Sequence, residues 1–251
     1  MPEISPMRTV GALVLRDLGC TLRTPTVLFM AAFGVLLCWG VAQWSLGFSD
    51  IPQARGDLSR FVLDASAVMP ALTGGSVIPL SLMAEEREHG TTALLSRAGA
   101  SMSAIAASKA LAALILIALL ALACLTIAGV PVGALAPATL ATVLASVPFM
   151  LASTAMGLIT RAQGQTNGWY LALVALAMPT LLATIDSAIL PLAALSPLQA
   201  GASAVSWLAI GATPPEGWLA TGVVFALWLA ASAAAFAAAL RHRARQDAER
   251  A

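Results

Sequence analysis

Few side chains in this sequence are of the types that perform catalysis, and they lie far apart. The only histidines, His89 and His242, fall in charged stretches, whereas Ser76 lies inside an apolar run. A serine nucleophile needs a basic partner beside it, so this arrangement argues against an intramembrane serine protease. The three cysteines are scattered and form neither a disulfide nor a metal-binding pattern. We therefore expect no catalytic residue and no metal site.

Two carboxylates occur in apolar runs, where an ionisable group is a candidate for function. Asp64 lies about one helical turn from the end of its run, so it either faces a substrate path or is solvated there as a structural residue. Asp186 lies nearer still to the end of its run, which favours the structural interpretation. We group Asp64 with Ser76 and Trp207 as a possible substrate path.

The most informative stretch covers residues 84–109 and reads AEEREHGTTALLSRAGASMSAIAASK. Its charged residues close one helix, which Gly90 ends, and Thr91 can begin a short new helix. After Gly99 the chain turns again, and either Ser101 or Ser103 can cap the helix that comes next.

The short predicted helix carries two adjacent leucines, Leu94 and Leu95, and ends near Arg97. A short helix held between two apolar runs and bordered by charges has the shape needed to receive force from a cytosolic partner. An ordinary polar loop with an incidental run of charges is the alternative, and the residues alone leave both open.

The bulk composition indicates that a membrane positions these residues. Hydrophobic residues make up 59% of the 251 residues and charged residues only 10%, well below the quarter that is typical of soluble domains. A helix needs roughly 20 apolar residues to cross a bilayer. Six stretches qualify, approximately Pro25 to Gly47, Phe61 to Met83, Ala110 to Val130, Ala138 to Thr160, Trp169 to Leu190, and Trp218 to Leu240.

Arginine and lysine concentrate on one side of these predicted spans, and such an excess stays on the cytoplasmic side. Eleven of the 13 basic residues fall on that side, whereas Arg55 and Arg60 fall on the other. The eleven are Arg8, Arg16, Arg23, Arg87, Arg97, Lys109, Arg161, Arg241, Arg243, Arg245 and Arg250. The asymmetry predicts that both termini are cytosolic, with residues 241–251 as a tail.

Two segments flank the spans without crossing. Residues 1–24 predict an amphipathic helix that lies along the inner leaflet, because Val10, Val14 and Leu18 share one face. Residues 191–217 are too apolar for an exterior loop and too interrupted by proline to span. We expect them to form a re-entrant segment, or one folded onto the outer mouth of the bundle.

A resemblance to a known family favours the coupling interpretation of residues 84–109. The sequence E-E-R-E-H-G-T-T-A-L-L-S-R-A-G-A-S from Glu85 to Ser101, followed by Ala-Ser-Lys at 107–109, resembles the pattern E-R-E-x-G-T-x-x-x-L-L-x-x-P-x-s … K of type-2 ATP-binding-cassette export permeases. Ser96 stands at the second leucine of that pattern and Gly99 where a proline is common. The predicted order of helices resembles the family over nearly the whole chain.

The resemblance implies that this segment is a coupling helix that docks on a cytosolic ATPase. The residues implied in that contact are Glu85, Glu86, Arg87, Glu88, Gly90, Thr91, Leu94, Leu95 and Arg97. The loop around Arg161 is the next candidate for contact with the same partner.

The chain has no phosphate-cradling motif of its own. No G-x-x-x-x-G-K-[ST] sequence occurs, and the only lysine, Lys109, is preceded by no glycine-rich loop. We therefore expect no cofactor in this chain, with ATP and Mg on the partner subunit. The family also implies a second permease copy or a related permease as partner. The scattered basic residues argue against nucleic acid.

These observations predict an all-α membrane protein with a six-helix domain at residues 25–240. Its function would be that of a non-enzymatic permease subunit of an exporter for a hydrophobic or amphiphilic substrate. A proton- or ion-coupled secondary transporter that uses Asp64, and a non-transporting assembly protein, are the alternatives. The alanine-rich, lysine-poor composition is typical of a high-GC bacterium and places the protein in its plasma membrane.

Overall fold

The computed structural model describes residues 6–46, 52–160 and 163–248, and every regular element in those ranges is helical. Gly47, Arg161 and Arg250, which the sequence-based predictions include, lie outside these residues. The α-helices are α1 Pro6–Thr21, α2 Pro25–Leu46, α3 Pro52–Pro70, α4 Ile78–Glu88, α5 Thr91–Arg97, α6 Met102–Ile127, α7 Val132–Ile159, α8 Thr166–Leu182, α9 Leu190–Ala194, α10 Gln199–Ile210 and α11 Trp218–Ala248. The prediction of an all-helical chain is confirmed for the described residues.

Five helical stretches in the described residues are long and apolar enough to cross a membrane. They are Val27–Ser45, Leu58–Glu88, Met102–Ile127, Val132–Ile159 and Trp218–Gln246. Each of them overlaps one of the predicted spans. A bent pair of helices brings the number to as many as six.

The C-terminal end of the predicted fifth span, Trp169 to Leu190, differs from that of the helix in the structure. Helix α8 stops at Leu182 after 17 residues, a length of about 25 Å at 1.5 Å per residue. The carboxylate of Asp186 then accepts a hydrogen bond from the backbone N–H of Ala188 at 2.9 Å and caps a separate 3-10 turn. An apolar composition continues past Leu182, but a new element begins there.

The broken segment is predicted at residues 191–217, and the bent pair of helices that the structure contains there begins earlier, at Ser187, and ends at Ile210. Ser187–Ala194 and Gln199–Ile210 meet at an angle of 115°. Protein groups satisfy the backbone at the break, since the indole Nε1 of Trp228 donates to the Leu195 carbonyl at 2.8 Å. Such satisfaction is what allows irregular backbone to persist in an apolar setting. The hydroxyl of Ser196, at the break, donates to the Leu176 carbonyl of α8 at 2.9 Å and so ties the break to that helix.

A single helical run, Leu58–Glu88, forms the centre of the bundle and is buried along most of its length. Between α3 and α4 it loosens into a π-helix, Ala71–Val77, which comes directly after Pro70 and contains Gly74 and Gly75. Proline removes a backbone donor, and π-helices occur mostly as short bulges inside α-helices. The hydroxyls of Thr73 and Ser76 donate to the Met69 and Leu72 carbonyls respectively, so both side chains are bonded to the backbone of their own helix.

The other helices pack around this central run. On one side, Phe149 of α7 and Leu173 of α8 join Val68 and Leu72 in the largest apolar cluster. At the α4 end, Met83 packs with Ala155 and Leu158 of α7 and with Ala239 of α11. The remaining surface of α11 is largely apolar and exposed.

Helix α1 lies against α6, and the face that it buries is not its most apolar one. Leu13, Asp17 and Thr21 are buried, whereas Val10, Val14 and Leu18 of the predicted apolar face are only partly buried. A carboxylate therefore lies where the helix meets the bundle.

Candidate functional site

The segment after α4 has the local structure that the sequence predicts. Gly90 ends the central run with φ 70°, and α5 covers Thr91–Arg97. Gly99 then adopts φ 92°. The Ser101 hydroxyl accepts a hydrogen bond from the Ala104 N–H at 3.2 Å and caps α6. Of the two predicted caps, Ser101 is therefore the one that is used.

At position 99 this chain has glycine, whereas the pattern of type-2 ATP-binding-cassette permeases that the segment resembles commonly has proline. The backbone conformation at Gly99 accounts for this difference. A proline ring holds φ near −65° and cannot adopt the positive φ of Gly99. The turn out of α5 in this chain is therefore of a kind that glycine favours.

The two leucines of α5 have different surroundings. Leu94 is 62% exposed, whereas Leu95 packs against Leu13 of α1, against Ala100 just before α6 and against Ile105 of α6. Leu95 thus anchors α5 to the bundle, and Leu94 projects from it. Of the pair that the sequence suggested as apolar contacts for a partner, only Leu94 is largely free of contacts within the described chain.

A buried ion network joins α1, α4 and α6 next to α5. Lys109 is fully buried, and its Nζ lies 2.9 Å from Glu86 Oε2 and 3.5 Å from Asp17 Oδ1. Arg16 contacts both carboxylates, with a distance of 2.6 Å to Asp17 Oδ1. The hydroxyl of Ser108 donates to Asp17 Oδ2 at 2.8 Å. Two positive and two negative groups therefore balance within one site.

The network is costly to break because charges away from water must be paired. Burial lowers the pKa of Arg16, but Asp17 and Glu86 raise it by more, so the guanidinium stays charged. The resemblance implies a contact of Glu86 with the ATPase, whereas in the structure its carboxylate pairs with Lys109 and holds α4 to α6. Sequence reasoning missed Asp17 and Lys109 as partners. The signal was present in the chain's only lysine, which is placed early in an apolar helix.

Other charged residues of the predicted coupling set lie nearby. The guanidinium of Arg87 donates to the Leu158 carbonyl at 3.1 Å and to the Thr160 carbonyl at 2.7 Å, at the C-terminus of α7. This contact satisfies carbonyls that the helix end leaves free. Glu88 and Arg97 are exposed. Glu85 and Thr91 line a cavity of about 260 Å³ beside the ion network.

The other end of the central run carries Asp64, which is only 4% exposed. Its Oδ1 accepts a hydrogen bond from the Ser206 hydroxyl at 2.9 Å, and its Oδ2 lies 3.9 Å from Arg60 Nε. Solvation of Asp64 at the end of its span, one of the two expectations, does not fit this burial. Asp186, by contrast, is exposed and caps a turn, as its structural interpretation expects.

The three residues of the suggested substrate path do not meet. Ser76 is buried in the π-helix and bonded to its own helix, about three turns from Asp64. Trp207 is half-exposed on α10 and lies edge-on to Trp218, with ring centroids 6.0 Å apart. Its neighbour Ser206, which sequence reasoning passed over, is the residue that contacts Asp64.

Within the part of the chain that the structure describes, no group of three or more His, Cys, Asp or Glu side chains could hold a metal ion. No protein-family model matches the sequence, and no curated protein matches it significantly. The function of this chain must therefore be inferred from its residues, their geometry and the resemblance of the segment at 84–109.

Proposed function

We propose that this chain is the permease subunit of an ATP-driven exporter and resides in a bacterial plasma membrane with both termini cytosolic. ATP bound by a separate subunit would move α5, and through it the central helical run. The observation that carries the proposal is the projection of Leu94 from α5 at the end of that run. The resemblance of Glu85–Ser101 to type-2 ATP-binding-cassette permeases supports the same interpretation.

The surroundings of α5 support a role in transmitting force. Leu95 holds α5 against α1 and α6. The end of α4 is held to the same two helices by the ion network of Arg16, Asp17, Glu86 and Lys109. A push on Leu94 would therefore move packed helices rather than a loose loop. Such rigid contacts are needed because packed interfaces transmit displacement and flexible ones absorb it.

A charge at Leu94 tests this proposal. Leu94→Asp would place an unpaired carboxylate in a desolvated contact, and truncating an anchor at an interface centre typically costs about 2 kcal/mol or more. We expect copurification of an ATPase subunit to fall at least about tenfold, while the chain still reaches the membrane in normal amount. Ala244→Asp, an exposed position at the same end of the bundle on α11, is the matched control and should leave copurification unchanged.

A Leu94→Asp chain that retains its ATPase partner and substrate-stimulated ATP turnover would contradict docking through α5. The loop around Arg161 would then be the next surface to vary. A chain that captures no ATPase subunit in any form would contradict the exporter itself.

A secondary transporter is the second candidate, and the burial of Asp64 beside Arg60 is the observation that favours it. In that case transport would run without any ATPase subunit and would be abolished by Asp64→Asn. Transport by the purified chain in sealed vesicles without ATP would decide for this candidate.

A further inference from the structure

A cavity of about 320 Å³ opens at the end of the central run that lies away from α5. Helices α3 and α8, the turn after α8 and the start of α10 enclose it, and Arg60, Asp64, Thr180 and Gln199 line it. Its volume is at the small end of the range of small-molecule sites, about 300–1,000 Å³. Its walls are more polar than the apolar surroundings of the helices lead one to expect.

Three oxygen acceptors in this cavity are buried and incompletely bonded. Thr180 is 1% exposed and Gln199 is 7% exposed, and among the described residues nothing hydrogen-bonds Thr180 Oγ1 or Gln199 Oε1. The Oδ2 atom of Asp64 has Arg60 Nε at 3.9 Å, beyond hydrogen-bond distance. Buried polar groups in folded proteins are normally bonded, so these atoms call for a donor that the described chain does not supply.

The cavity also holds donors that need an acceptor, and the unpartnered Thr180 hydroxyl is one of them, because it carries an O–H as well as lone pairs. Arg60 Nε is buried and has no hydrogen-bond partner in the described residues. Arg60 and Asp64 carry opposite charges, so a ligand with a net charge would leave that charge uncompensated in a desolvated site, which is unfavourable. The ligand must therefore be neutral overall, and it must both donate and accept hydrogen bonds.

We propose that the cavity binds a zwitterion that contains a primary ammonium group. The ammonium has three N–H donors, one each for Asp64, Gln199 and Thr180, and the anionic group of the ligand accepts from Arg60. This inference rests on the proposed function, because it assigns the polar part of an exported amphiphile. The same chemistry occurs in a free amino acid and in the headgroup of phosphatidylethanolamine, with a carboxylate in the first and a phosphate in the second.

Binding to the purified full-length chain tests the proposal without any ATPase. The chain is held in a detergent free of phospholipid, and calorimetry measures binding of a short-chain phosphatidylethanolamine below its micelle concentration. The matching phosphatidylcholine keeps both charges but has no N–H donor on nitrogen. We expect it to bind at least about tenfold more weakly, because hydrogen bonds to charged groups are lost.

Free leucine is the second probe and distinguishes the sources. Leucine that displaces the phosphatidylethanolamine and binds comparably assigns the site to a free zwitterion. Phosphatidylethanolamine that binds while leucine does not assigns it to a lipid headgroup. The proposal is wrong if the two phospholipids bind equally well. It is also wrong if neither the lipids nor leucine bind, and the cavity then holds only water.

Variants that line the cavity give a matched comparison. Thr180→Val and Gln199→Leu each remove an unpartnered acceptor, and each should weaken binding of the phosphatidylethanolamine about tenfold or more. Thr184→Val is the control, since Thr184 lines the same cavity but its hydroxyl already donates to the Leu181 carbonyl at 2.7 Å. Equal losses in Thr180→Val and Thr184→Val would contradict the assignment. Thermal unfolding without ligand checks that all the variants fold.

A failure of the cavity proposal and a failure of the exporter proposal can be told apart. Loss of zwitterion binding together with retained capture of an ATPase would reject the ligand and keep the exporter. Zwitterion binding by a chain that captures no ATPase would keep the ligand and reject the exporter.

Discussion

Lys109 Nζ lies 2.9 Å from Glu86 Oε2, and this ion pair joins α6 to the end of the central run, where α5 begins. Asp17 of α1 approaches the same ammonium to 3.5 Å. Helix α1, which is distant in the chain, therefore meets α4 and α6 at one buried lysine. The position of the exposed α5 depends on this contact, because Glu86 lies two residues before the end of α4.

Removing the lysine should destabilise the bundle. Lys109→Met replaces the lysine with an apolar side chain of similar length. Asp17 and Glu86 then have only Arg16 as a cation. Breaking a buried ion pair typically costs about 3–5 kcal/mol. We expect a lower midpoint of thermal unfolding in detergent. Adding Glu86→Gln to Lys109→Met removes the unpaired carboxylate and should recover part of the loss. A single variant as stable as the unaltered chain would show that the network contributes little.

The turn after α5 should require glycine at position 99. With φ 92° at Gly99, Gly99→Ala introduces a Cβ into left-handed backbone at a cost of about 1–2 kcal/mol. We expect lower thermal stability and weaker capture of the ATPase partner. Gly133→Ala is the control, since Gly133 lies in α7 with open space around its Cα. If Gly99→Ala matches Gly133→Ala in both measurements, the turn is not strained.

The π-helix should tolerate no side chain at its closest approach to α6. A Cβ on Gly74 would lie 2.8 Å from Ile117 Cγ1 and 3.3 Å from the Ile117 backbone nitrogen. Gly74→Ala should therefore lower the free energy of unfolding by about 1–3 kcal/mol, as overpacking usually does. Gly40→Ala in α2 meets nothing within 4 Å and should be neutral. Equal unfolding midpoints for the two variants would contradict the close packing.

The two ends of the bundle should face opposite sides of the membrane. In a Cys20→Ser background, a cysteine at Arg55 should react with an impermeant reagent added from outside, because the basic residues are so unevenly distributed. A cysteine at the exposed Ala98, just after α5, should react only in inverted vesicles. If position 55 is labelled only from the cytosolic side, the predicted topology is wrong.

The sequence by itself determined the features that depend on neighbouring residues. Apolar runs of sufficient length located the five helical stretches in the described residues that are long and apolar enough to cross a membrane, because length and hydropathy are properties of a segment. Gly90, Ser101 and Pro197 mark the end of α4, the cap of α6 and the break before α10, since each acts through the backbone within one turn. The short helix α5 was predicted from the same local signals.

Only the tertiary structure decided which distant groups meet. Asp64 and Ser206 are 142 residues apart, and Asp17 and Ser108 are 91 apart, so no spacing rule connects them. Their pairing depends on how helices pack and rotate against each other. For the same reason the sequence suggested two exposed leucines on α5, and packing against α1 and α6 left one. The end of α8 also escaped prediction, because the capped turn at Asp186 interrupts a run whose composition stays apolar.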